Sequence, residues 1–313
     1  MTDAESTRSG RDGRGGRDGR NRGDSRSGRD SRDSAGSRVV AGTANPAGQA
    51  KATLTVARYE AERLVVPGIV AAVALSLFGS LYVWIGPQVT AGVDIEAMTE
   101  ALPPAMRALF GLESLGSVAG LLASEFYTLG WIVGLAAYVA YVAAGRVAGG
   151  VATGRLDATL SAPAPRASVL GGVLLALLVP ILVVNVVVPL ALYGVSVAVG
   201  EPLSPVDLFA LHALSVPYLL AWGAVGLFLG VAVDGGRTAG RVALGAVFAT
   251  WIVEAIVTGS DYEWVGAFAP ARYLDPTGVL VRGEYALDSV AVLAGVTALF
   301  ALAAVALFGR RDV

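Results

Sequence analysis

Long stretches without a single charge dominate the chain after residue 63 and leave it few ways to fold. No Asp, Glu, Lys or Arg stands between Arg63 and Asp94, nor within 126–145, 167–200, 208–233 or 289–309, and 242–258 holds only Glu254. About 20 consecutive apolar residues cross the ~30 Å hydrocarbon core of a bilayer as a helix. Inside that core each backbone N–H and C=O needs a partner, which a helix supplies within its own segment. The six runs therefore predict an all-α, polytopic membrane protein with six transmembrane helices. A composition that is 55% hydrophobic and only 15% charged agrees.

The basic residues are unevenly spread. With the N-terminus in the cytoplasm, the inner loops and C-terminus carry Arg146, Arg155, Arg166, Arg237, Arg241, Arg310 and Arg311. The outer loops then carry only Arg107, Arg272 and Arg282. The positive-inside rule favours that arrangement, and six spans bring both ends to one side. The expectation is a multi-pass plasma-membrane protein with cytoplasmic N- and C-termini. The polar first fifty residues hold no cleavable signal peptide, so the first span is expected to direct its own insertion.

Two regions follow from composition: a tail, 1–50, and a six-helix body, 51–313. The tail is built from Arg, Asp, Gly and Ser with almost nothing to bury, and is expected to be disordered. Its run Arg14-Gly15-Gly16-Arg17 is the kind of sequence found in nucleic-acid-binding arms. The tail has no aromatic residue to stack on bases, however. Its interleaved aspartates also cancel attraction to phosphate, which argues against a nucleic-acid partner.

Within the body, 51–63 reads either as an amphipathic entry helix, with Leu54, Ala57, Ala61 and Leu64 on one face, or as a cytoplasmic extension of the first span. The charge-free run 167–200 would be about 51 Å long as one helix, too long for the core, with Pro180 and Pro189 available as kinks. The outer segment 259–286 carries Tyr262, Trp264, Phe268, Tyr273 and Tyr285, residues suited to the headgroup layer.

Chemistry-bearing residues are few. The chain has no cysteine, so disulfides and thiolate metal sites are excluded. The single lysine, Lys51, follows Ala50 and belongs to no phosphate-binding loop of the Walker type. No HExxH and no G-x-S-x-G occurs, and His212 has no second ligand in its helix. No catalytic residue, metal site or cofactor is expected. Glu254 is a charge inside a span and thereby a functional candidate, although it stands about one turn from the helix end. Asn185 is expected to hydrogen-bond between helices, and His212 to be structural.

Between the second and third spans lies a charged bend, Thr153 to Arg166. Leu156 and Leu160 are four residues apart, so a short helix would place them on one face. Pro163 and Pro165 would end it and re-aim the chain. The pattern resembles that of the permease subunits of ABC-2 type transporters, whose corresponding stretch resembles E-E-x-G-T-L-D-x-L-L-S-x-P-x-x-R. Gly154, Leu156, Asp157, Leu160, Ser161, Pro163 and Arg166 match it. The entry helix, long first outer loop and short basic C-terminus match in order. The acidic pair before the glycine is missing, Arg155 stands for the threonine and Thr159 for a leucine. The resemblance implies a six-span permease whose bend contacts a separate ABC ATPase subunit. Gly154, Leu156, Asp157, Leu160, Pro163 and Arg166 would carry that coupling. It also implies a second permease copy or homologue. The substrate stays open. A secondary transporter or channel using Glu254 or His212 is the alternative, and a scaffold with a recruiting tail a third.

Overall fold

The structure, a computed structural model, describes residues 46–92, 103, 116–152 and 166–310. Among these the regular elements are all helical, without a strand. An entry helix α1 (Pro46–Glu62) precedes six helices long and apolar enough to cross a membrane. These are α2 (Val65–Ala91), α3 (Val118–Gly150), α4 (Arg166–Ala198), α5 (Pro205–Ala232), α6 (Gly236–Val257) and α7 (Leu287–Arg310). The chain is thus an all-α, multi-pass membrane protein. The tail up to residue 45, the segment 104–115 and the bend 153–165 lie outside the described residues.

α1 begins at Pro46, before the start expected at residue 51. A proline suits the first helical position, where its missing N–H would have no partner and its fixed φ is already helical. The long charge-free run divides as expected near a proline. α4 is interrupted at Leu177, between helical stretches Arg166–Ala176 and Leu178–Ala198. Pro180 cannot donate to the carbonyl of Ala176, four residues back, and the ladder opens there. Pro189, by contrast, sits inside the second stretch without ending it.

Burial separates core helices from peripheral ones. In α3 and α5, 67% of the apolar window is buried inside the body, against 22% in α2 and α6 and 11% in α7. α5 is the hub, packing on α3, α4, α6 and α7, while α2 lies along the second stretch of α4. The outward faces are apolar: Val66, Ile69, Val73 and Leu77 on α2, Leu244, Phe248 and Ile256 on α6, and Leu299 and Leu302 on α7 are all exposed. Apolar residues on an exterior of this kind face lipid chains rather than water.

Lipid chains are as apolar as leucine, so tight backbone approach rather than water exclusion joins such helices. Gly226 and Gly230 share one face of α5 and lie on the backbone of α3. A Cβ on Gly226 would collide with the carbonyl of Ala140, and one on Gly230 would come within 2.6 Å of the carbonyl of Ala144. On the other side of α3, Gly236 of α6 approaches the backbone of Gly145 and Gly149.

The body has two dissimilar ends. One carries α1, packed on the start of α4, and the C-terminal end of α7. The other is closed by the segment 258–286, which folds into short helices at Glu263–Phe268, Pro270–Tyr273 and Gly278–Arg282 packed against α5, α6 and α7.

Candidate functional site

The first half of α3 is wound as a π-helix over Leu122–Leu135. Its hydrogen bonds reach five residues back, as in Ala136 N–H to Trp131 O, and the Thr128 hydroxyl donates to Ala123 O at 3.1 Å. π-turns are rare, cluster at functional sites, and aim side chains differently from an α-helix. Here the winding turns Tyr127 and Trp131 inward and leaves Thr128 and Ile132 facing a cleft.

On the inner side lies a polar network joining α3, α4 and α5. His212 of α5 is 2% exposed and Asn185 of α4 is 7% exposed. Asn185 donates from Nδ2 to Ile181 O at 2.9 Å, which fixes the amide orientation. Its Oδ1 then accepts from Ser215 Oγ at 2.7 Å and from His212 Nδ1 at 3.1 Å. With the proton assigned to Nδ1 by that acceptor, Nε2 accepts from the Tyr127 hydroxyl at 3.0 Å. The imidazole is walled by Trp131, edge to face at a centroid distance of 4.6 Å, and by Tyr127 at 5.7 Å. Every polar atom of the imidazole and of the Asn185 side-chain oxygen is used, so the network is a fixed cross-brace. The inter-helix hydrogen bond expected of Asn185 and the structural part expected of His212 are one and the same contact.

On the other face of the π-helix a cleft of about 340 Å³ opens toward the segment 258–286. Thr128 and Ile132 of α3, Trp251 and Glu254 of α6, and Arg272 and Asp275 of the closing segment contribute to its wall. The Glu254 side chain is 16% exposed, covered by the closing segment rather than open to interfacial water. Its Oε1 lies 3.8 Å from Arg272, while Oε2 has no hydrogen-bond partner. Gly266 presses on that carboxylate, and a Cβ there would collide with it. Arg282 pairs with Asp275 at 2.6 Å and with Glu284 at 3.0 Å. Tyr285 donates to Asp207 at the start of α5, and that hydrogen bond raises the phenol's pKa above its ordinary value.

At the opposite end the bend itself lies outside the described residues, and with it Gly154, Leu156, Asp157, Leu160 and Pro163. Its two flanks are described. Before it, Arg146 of α3 pairs with Glu60 of α1 at 2.6 Å, both side chains largely buried. After it, Arg166 donates to the carbonyls of Phe308 and Gly309 at 2.9 and 3.3 Å and lies over the Phe308 ring at 5.5 Å. Those carbonyls belong to the last turn of α7, where the helix dipole favours a cation. α1 is held against α4 by Ser168, which donates to Gln49 O, and by Gly172, where a Cβ would meet Val56 at 2.7 Å.

The structure therefore joins Asn185 with His212, places Glu254 apart from both in the cleft, and sets Arg166 at the far end. Tyr127, Ser215, Trp131 and Arg272 complete these sites and were not singled out from sequence. Arg272 had a signal: a carboxylate inside a span calls for a cation, and only three basic residues were assigned to that side. No protein-family model, no curated protein and no solved structure matches the chain.

Proposed function

We propose that this chain is the membrane-spanning permease subunit of an ATP-driven transporter of the ABC-2 type. It would sit in the plasma membrane with both ends cytoplasmic, paired with a second copy or a homologue. The observation that carries the reading is the run Gly154, Leu156, Asp157, Leu160, Ser161, Pro163, Arg166 standing between the second and third spans. The geometry on either side supports a force-bearing role. Arg146 ties the entering flank to α1, and Arg166 ties the leaving flank to α7. A push on the bend would thus reach α1, α4 and α7 together. The partner ATPase would hydrolyse nucleotide, and this chain would change between two packings of its helices.

Replacing Leu156, Asp157 and Leu160 together by alanine is expected to abolish ATPase-coupled transport in proteoliposomes while leaving insertion and gel-filtration behaviour unchanged. Full transport by that variant would remove the coupling role. A second reading, a carrier or channel without an ATPase, draws on the Glu254 cleft and predicts gradient-driven flux through the purified chain alone.

A further inference from the structure

The inventory of donors and acceptors around the cleft selects its occupant. Both arginines are engaged. Arg272 donates to the backbone oxygen and Oε1 of Glu263, each at 2.9 Å, and Arg282 to Asp275 at 2.6 Å and Glu284 at 3.0 Å. Two wall hydroxyls are committed as donors as well: Thr128 to Ala123 O, and Thr258 to Glu254 O at 2.8 Å. A hydroxyl that has spent its hydrogen presents only lone pairs. Two carboxylates, Glu254 and Asp275, and two guanidinium groups, Arg272 and Arg282, line the cleft, while Glu263 and Glu284 bind the arginines from outside its wall.

Glu254 is the exception among these acids. Its Oε2 is sealed against Gly266 without a partner, and its Oε1 has only the 3.8 Å contact with Arg272, longer than a hydrogen bond. A carboxylate withdrawn from water and paired only at that distance is better satisfied when a closer cation meets its Oε1. Trp251 and Ile132 supply apolar wall nearby, and an aromatic face itself attracts a cation. The volume, about 340 Å³, falls in the range of small-molecule sites.

We propose that the cleft between α3, α6 and the segment 258–286 binds a small organic cation, a primary ammonium bearing an apolar or aromatic group, with Glu254 as its counter-ion. The N–H donors of such a ligand meet the lone pairs of Glu254, Thr128 and Thr258, and its apolar group meets Trp251 and Ile132. Binding requires only the cleft. That the cation is also the transported substrate rests on the permease reading above.

The test uses the full chain in lipid nanodiscs, without any ATPase, and equilibrium binding of radiolabelled phenethylamine. Phenylpropionate and N-acetylphenethylamine serve as the anionic and neutral counterparts. Saturable binding of the amine, weaker by about tenfold or more in Glu254→Gln, is expected. Arg272→Gln, which removes the competing cation, is expected to tighten it. No saturable amine binding, equal affinity in Glu254→Gln, or equal binding of the carboxylate would overturn the proposal. Should Glu254→Gln fail to fold, Arg272→Gln decides, since unchanged or weaker binding there also contradicts it. Failure here leaves the permease reading standing, and failure to co-purify with an ATPase leaves the cleft standing.

Discussion

His212 shows how much one side chain can be asked to hold in a lipid-embedded body. It joins α5 to α3 through Tyr127 and to α4 through Asn185, and all three side chains are buried. His212→Ala strands the Tyr127 hydroxyl and weakens the pairing of Asn185. The expected loss is about 1–3 kcal/mol, read as a lower melting temperature in detergent. A double-mutant cycle with Asn185→Leu should return a coupling of about 0.6 kcal/mol or more, because bonds of this kind in membranes average near that value. Additivity of the two changes would show that the bond contributes nothing. Sequence reading found both residues but not their partnership. They stand 27 positions apart, and their meeting depends on the register of α4 against α5, which hydropathy does not encode. Nothing in the sequence marked Tyr127 apart from the aromatics beside it, Phe126 and Trp131.

At the scale of elements, the six spans were legible because charge is excluded from hydrocarbon so strongly that its absence marks each helix directly. The proline break in α4 was legible for a similarly local reason, a missing N–H. The seam between α3 and α5 was not, since glycines are scattered through the chain and only contact shows which of them are crowded. Gly230→Leu is expected to wedge that seam apart, its side chain meeting Ala144 and Val147. The prediction is loss of the monodisperse gel-filtration peak. Gly295, on α7, has nothing within 4 Å of where a Cβ would stand, and Gly295→Leu should leave the peak intact. Equal behaviour of the two variants would refute the seam.

For the molecule as a whole, the two ends are built differently. One gathers ionisable side chains over a cleft, and the other ties α3 to α1 and α4 to α7 on the two flanks of the bend. Arg166→Ala removes the tie between α4 and α7 without touching the cleft. It should cut coupled transport strongly while phenethylamine binding stays as in the parent chain. Arg166→Lys, which keeps the charge but not the planar fork, should restore only part of the transport. Loss of both activities together would mean that Arg166 merely holds the body folded. The sequence offers the bend as a pattern of seven residues that lies almost wholly outside the described residues, whereas the anchorage of Arg166 to the end of α7, 142 positions away, was not legible.

The winding of residues 122–135 also affects anyone mapping this chain by periodicity. A helix bonded five residues back advances less angle per residue than the customary 100°, and the shortfall accumulates over fourteen positions. Cysteine labels or helical wheels laid out with a constant pitch will agree with the molecule up to residue 121 and then drift. Beyond that point they would assign Tyr127 and Thr128 to the wrong walls, and a scanning experiment could report the braced interior as the open side.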